Sequence, residues 1–252
     1  MKDQTSRRPY LRAMALAALA PGLVGSAAAQ LELSQAELFF ELNETDGDLG
    51  FHAAIDGDAY TRLEIEGPDG RRLLRLSASG ALARQGMTQF ALESAEPDFD
   101  ELAPEAFFER FPEGPYEIEI KHRRDEAEAV VFVSHVLAAP PSGITINDQP
   151  AAQDCDADEL PVVSAPVLVR WDPVTTSHPS IGAFGPVDIA RYQFFAEQDE
   201  AKLAMDLPPT VTEFEIPVDF TATGGIFKYE IIARADNLNN TAVESCFIVG
   251  PL

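Results

Sequence analysis

The stretch "AELFFELN", residues 36–43, puts Ala36, Leu38, Phe40 and Leu42 on one side of an extended chain and Glu37 and Glu41 on the other. A period of two is the mark of a half-buried β-strand, since successive side chains of a strand point to opposite faces. The same alternation returns in "GFHAAID" (50–56) through Phe51, Ala53 and Ile55, and again in "MTQFALES" (87–94). "YTRLEIE" (60–66) and "RRLLRLSAS" (71–79) flank "GPDG" (67–70), where Pro68 and Gly70 suit a tight turn, so these two runs form a hairpin. "YEIEIKHRR" (116–124) and "AEAVVFVSHVL" (127–137) form a second hairpin, turning near Asp125 and Glu126.

One segment breaks the rhythm. In "FDELAPEAFFERFPEG" (99–114), Asp100 can cap a short helix that carries Leu102, Ala106, Phe107 and Phe111 at helical spacing and stops at Pro112 and Gly114. Its phenylalanines are expected to be core. "LAAPPSG" (137–143) then marks a linker, because Pro140 and Pro141 cannot both lie in a sheet interior. Beyond it, "VLVRWDPVTT" (167–176), "IARYQFFAE" (189–197), "VTEFEIPVDF" (211–220) and "YEIIARADNLNN" (229–240) are spaced like the strands of a sandwich. The fold class expected is all-β: two β-sandwich domains, the first (30–138) with a short helical insertion, the second covering 139–252.

Residues 140–252 resemble a fibronectin type III, immunoglobulin-like domain. Trp171 in "RWDPV" matches that family's strand-B tryptophan, and Tyr192 in "RYQFF" its strand-C tyrosine. Tyr229 falls where the family places the tyrosine that closes its E-to-F corner. The resemblance implies a core role for all three and assigns no active site. No "RGD" occurs, so an integrin-type role does not carry over.

The first 29 residues read as an export signal: a basic start, an apolar run from Met14 to about Val24, and small residues ending at Ala29. "SRRPYLR" (6–12) resembles a twin-arginine pattern. The apolar run is shorter than the ~20 residues a membrane span needs, so no membrane insertion is expected after cleavage. The destination is periplasmic or extracellular. Cleavage after Ala29 would leave 223 residues and take the formal charge from −24 to −27. That acidity excludes nucleic acid as a partner. Both cysteines, Cys155 and Cys246, survive cleavage, and a pair in an exported chain favours one disulfide.

"NETDGDLGFHAAIDGD" (43–58) holds two Asp-Gly-Asp triplets. Asp46, Asp48, Asp56 and Asp58 leave two readings open. They supply oxygens that calcium would accept, yet the spacing fails the EF-hand pattern, with Phe51 where its glycine and Gly57 where its glutamate belong. Asp-Gly is also the language of tight turns, which is the preferred reading. His52, His122, His135 and His178 sit in unrelated contexts, although His122 and His135 are placed to face each other across their hairpin. No nucleophile elbow, zinc-protease, phosphate-loop or dinucleotide motif occurs. The expectation is an exported, non-catalytic interaction or scaffold protein, without cofactor, that meets a protein or glycan partner through acidic loops. The rivals are a calcium-dependent carbohydrate-binding or adhesion module and a periplasmic enzyme subunit.

Overall fold

The computed structural model describes residues 31–250, so the signal-peptide and twin-arginine readings concern residues outside the described ones. Alternating segments become strands. They are β1 (Leu33–Asn43), β2 (Asp48–Tyr60), β3 (Arg62–Glu66) and β4 (Arg72–Ser77), then helix α1 (Gly80–Gln85), β5 (Met87–Glu93), helix α2 (Pro104–Arg110), β6 (Gly114–His122) and β7 (Asp125–Val133). The second half supplies β8 (Thr145–Ile146), β9 (Gln149–Pro150), β10 (Val162–Val163), β11 (Val167–Arg170), β12 (Ile189–Gln198), β13 (Ala201–Leu207), β14 (Glu213–Ile216), helix α3 (Val218–Thr221), β15 (Gly225–Ala235) and β16 (Asn240–Val249). The chain is all-β, with short helices only at its bends.

The same strand order is built twice. In the first half, β1-β2-β5 faces β4-β3-β6-β7; in the second, β8-β11-β14 faces β13-β12-β15-β16. These are the A-B-E and C′-C-F-G sheets of an immunoglobulin-like sandwich. Each half closes over its own core. One cluster centres on Leu38, Phe40, Phe51, Tyr60, Tyr116 and Ile118 and ends at Leu137; the other starts at Ala138 and centres on Trp171, Tyr192, Phe194, Tyr229 and Phe247. Trp171 packs edge-on against Tyr192 at 5.5 Å between ring centroids, and the Val174 N–H donates to the Tyr192 hydroxyl at 2.8 Å.

The halves do not meet through an open linker. Leu137 and Ala138 are fully buried, and Ala138 bridges to Ser177. More consequential is β1, which pairs in parallel with β16, setting Glu41 beside Asn240 and Asn43 beside Ala242. That pairing joins the β1-β2-β5 sheet of one half to the C′-C-F-G sheet of the other, giving one continuous run, β13-β12-β15-β16-β1-β2-β5, with β10 alongside β16.

Local expectations change in three places. The helix at 104–110 takes Pro104 as its first residue rather than a cap from Asp100, because proline has no N–H to leave unpaired there. Its Phe107, with Phe108 and Phe111, packs on Phe40 as core. The β6–β7 hairpin turns at Arg123 and Arg124, with Arg123 at φ +60°, so His122 lies opposite Asp125 and not opposite His135. The backbone bond that ties a strand-F tyrosine to its corner is made in the first half, where the Tyr116 hydroxyl donates to the Pro112 carbonyl at 2.9 Å. Tyr229 is buried by stacking on Phe194 and Phe247 and has no such bond among the described residues. Cys155 and Cys246 form the expected disulfide, tying the loop before β10 to β16.

Candidate interaction face

The two Asp-Gly-Asp triplets end far apart. Asp46-Gly47 makes the tight turn between β1 and β2, with Gly47 at φ +68°, its N–H bonded to the Asn43 carbonyl, and the Asn43 amide held by Asp46. Asp56-Gly57-Asp58 is not a turn at all but a bulged passage inside β2, where the Asp58 carboxylate accepts the Glu32 N–H. Asp48 opens β2 and Asp56 is its ninth residue, about 27 Å away along an extended strand. One ion cannot bind both pairs. Among the described residues no group of three or more His, Cys, Asp or Glu side chains is arranged to hold a metal. The histidines are likewise scattered: His52 pairs with Glu96, His135 with the Phe111 carbonyl and His178 with Glu44, each in a different place.

What the fold does gather is a row of carboxylates on the outer face of the joined sheet. Pairing aligns Phe195 with Glu230 and Glu230 with Glu244 across β12, β15 and β16. The next strand over, β1, brings Glu41, and the turn behind it brings Asp46 and Asp48. These residues come from both halves and meet only because β1 pairs with β16. A shallow concavity of about 350 Å³ opens here, lined by Phe195, Glu197, Lys202, Lys228, Glu230 and Glu244 among others. Lys228 is committed to Glu244 at 2.7 Å and Lys202 to Glu197 at 3.1 Å, so among the described residues Glu230 has no ion-pair partner of its own.

Electrostatics follow from that crowding. Burial, then Glu41 and Glu244, push the Glu230 carboxyl up to about 7, against a smaller pull from Lys228. Burial, then Glu96, Asp46, Asp98 and Glu244, push Asp48 up to about 7 as well. Both groups are raised above their unfolded values, so the folded chain holds protons that the unfolded chain releases from about pH 4 (Asp48) or 4.5 (Glu230) up to about 7. Their contribution to stability is full below that window and lost as pH rises through it. Glu230→Gln is therefore expected to raise the melting temperature at pH 8 while changing little at pH 4.5, corresponding to about 1–3 kcal/mol. Thermal melts across pH check this; an equal shift at both ends would mean that the carboxyl's charge is not the cause.

Beside the carboxylates runs a polar latch between the halves. Arg234, on β15 and nearly buried, reaches Glu37 of β1 at 2.7 Å and lies over the Phe39 ring at 4.6 Å. Phe39 stacks on His52, which pairs with Glu96. Gly50 makes room for that pair: a Cβ there would sit 1.8 Å from a Glu96 carboxylate oxygen. Neither Arg234 nor Glu230 announces itself in the sequence, because both are single polar residues in an otherwise ordinary strand. The only available signal was the outward register of "YEIIARA", which a strand reading of residues 229–235 already contains.

No protein-family profile matches the chain, and no curated protein does. Solved structures do. A two-domain fibronectin type III segment of chicken tenascin is 14% identical over 87% of this chain and 97% of that one, with a TM-score of 0.29. The FN1–FN3 domains of chicken CNTN1 are 9% identical over 85% of this chain and 66% of that one, with a TM-score of 0.33. A 1.5-MDa bacterial ice-binding adhesin gives 11% identity, coverage of 88% and 66%, and a TM-score of 0.26. The chain thus spans just under two thirds of the latter two. The fold is fibronectin type III-like. That statement rests on the strand order found twice in this chain; no functional residue is transferred at such identities.

Proposed function

We propose that this chain is an exported, non-catalytic interaction or scaffold protein, with a signal peptide at 1–29 and two sandwich units, 30–138 and 139–252, held as one blade. It engages a cationic protein partner through the acidic outer face of the joined sheet. The observation that carries this reading is a concavity lined by Glu230 and Glu244 of the second half, with Glu41 and Asp46 of the first half close enough to raise the Glu230 carboxyl and with Lys228 already paired. An arriving ammonium or guanidinium would hold Glu230 and Asp48 ionised, so their cost of crowding is repaid on binding. The disulfide fits an oxidising compartment, the periplasm or the cell exterior.

The test is a binding screen of the purified protein against basic peptides and against glycans, each with and without calcium. Expected is salt-sensitive capture of basic peptides that weakens as pH falls below about 6 and is lost in Glu41→Gln/Glu230→Gln/Glu244→Gln. Glycan binding that appears only with calcium, survives those substitutions and is lost in Asp46→Asn/Asp48→Asn would replace this reading with the calcium-dependent carbohydrate-binding one.

A further inference from the structure

The joined sheet ends at β13, which among the described residues pairs only with β12 and has no other strand or helix running beside it. Its edge is wet. Ala201, Lys202, Ala204, Met205 and Asp206 are all exposed. Met205 is 40% exposed although it shares the core-facing side of the strand with Leu203 and Leu207, so even that side is only partly covered. The free backbone groups follow from the hairpin. Asp199 and Glu200 form a two-residue turn flanked by the pair Gln198 and Ala201; the pair that closes such a turn exchanges backbone bonds, and bonded and non-bonded pairs alternate from there. Leu203, Met205 and Leu207 thus spend their N–H and C=O on β12, whereas Lys202, Ala204 and Asp206 turn theirs to the edge. Edge strands are ordinarily blunted by proline, a bulge or charges. β13 has no proline and pairs with β12 without a bulge, and its two charges, Lys202 and Asp206, are of opposite sign and equally spaced about Ala204.

We propose that β13 pairs antiparallel with β13 of a second copy of this chain, about a two-fold axis at Ala204. In that register Ala204 lies opposite its counterpart, Lys202 opposite Asp206 of the second copy and Leu203 opposite its Met205, and the last two pairs occur twice. The outward N–H and C=O groups of Lys202, Ala204 and Asp206 all find partners. Charge complementarity selects this occupant, because the strand is its own complement: Lys202 already reaches Glu197 at 3.1 Å, and Asp206 of the second copy continues the alternation of sign across the seam. Slipping by two residues in either direction sets Lys202 or Asp206 opposite Ala204 and loses both ion pairs. The inference goes beyond the cationic-partner reading and stands without it. It would also place two Glu230 faces on one sheet, five strand steps or about 24 Å apart, so that one partner could engage both.

Sedimentation velocity of the purified protein tests this, in about 0.15 M salt, where the net negative charge of the chain is largely screened. A seam of two strands is small, so a dimer that dissociates in the micromolar range is expected across loadings of about 1 to 500 µM. Lys202→Glu sets a carboxylate against Asp206 of the second copy, and Asp206→Lys sets an ammonium against its Lys202. Each should weaken the dimer at least tenfold. Mixing the two variants should restore it, because the mixed pair regains opposite charges at both ends of the seam. Ala204→Pro removes an outward N–H without breaking a bond to β12, so it should abolish the dimer and leave the circular dichroism melt within a few degrees of wild type. The same melts check that the charge variants, both at exposed positions, are folded; if the proline variant is not, the charge variants decide. A monomer throughout the range would overturn the proposal and leave the edge to a strand of another protein. A dimer indifferent to the charge reversals, or one that mixing fails to restore, would overturn it equally.

Discussion

Replacing both cysteines, Cys155→Ser with Cys246→Ser, is expected to lower the unfolding free energy by about 4–5 kcal/mol, since a bridge across so long a loop restricts the unfolded chain strongly. The two residues are 91 apart in sequence. The link also acts on a strand that holds the molecule together. Cys246 is almost fully buried on β16, which pairs with β15 on one side and with β10 and β1 on the other. The loop tied to it is fastened a second time where the Ser245 hydroxyl donates to the Ala152 carbonyl at 3.0 Å. Urea unfolding of wild type, with and without reductant, and of the double variant measures the effect. Coincident midpoints would show that these neighbouring contacts persist in the denatured chain and leave the disulfide nothing to restrict.

The strands with one wet face were legible in the sequence, and the reasons others were not are physical. In "AELFFELN" the polar face of β1 carries Glu37 and Glu41, which need water or partners, so the alternation survives in the residue types. β16, "NTAVESCFIV", lies in the middle of the joined sheet, and Asn240, Thr241, Ala242, Ser245, Cys246 and Phe247 are all buried. With both faces covered, its pattern loses its period. Asp56-Gly57-Asp58 misled in another way: Asp-Gly favours a turn locally, but in β2 it lies in a bulge against β5, and Gly57 approaches the Glu32 carbonyl too closely for any side chain. The carboxylate row was beyond sequence reading altogether. Glu41 and Glu230 are brought near by a parallel pairing of the first strand with the last, and no local signal encodes so distant a contact.

That same pairing makes Asn239 the residue whose loss should matter most between the halves. "ADNLNN" (235–240) reads as turn chemistry, and Leu238 at φ +77° does turn the chain from β15 to β16. Yet the Asn239 side chain, fully buried, leaves that turn and clamps the first half. Its Oδ1 accepts the N–H of Phe40, itself at the centre of the first core, at 2.9 Å. Its Nδ2 donates to the carbonyls of Ser134 and Val136 at 2.8 and 3.0 Å. Asn239→Ala would leave the Phe40 N–H and the Ser134 carbonyl to find other partners, while the Val136 carbonyl keeps its bond from the Asn237 amide at 2.9 Å. At about 1–3 kcal/mol for each buried group left unpaired, the expected cost is about 2–4 kcal/mol after partial relaxation. Asn239→Asp is expected to be no milder, because it keeps the acceptor for Phe40 but sets a carboxylate against two carbonyls. The damage should also change the form of unfolding: wild type is expected to melt as one unit, and the alanine variant to show two calorimetric transitions as each core unfolds alone. A single transition shifted by less than about 1 kcal/mol would mean that the β1–β16 pairing and the Arg234–Glu37 latch hold the halves together without the asparagine.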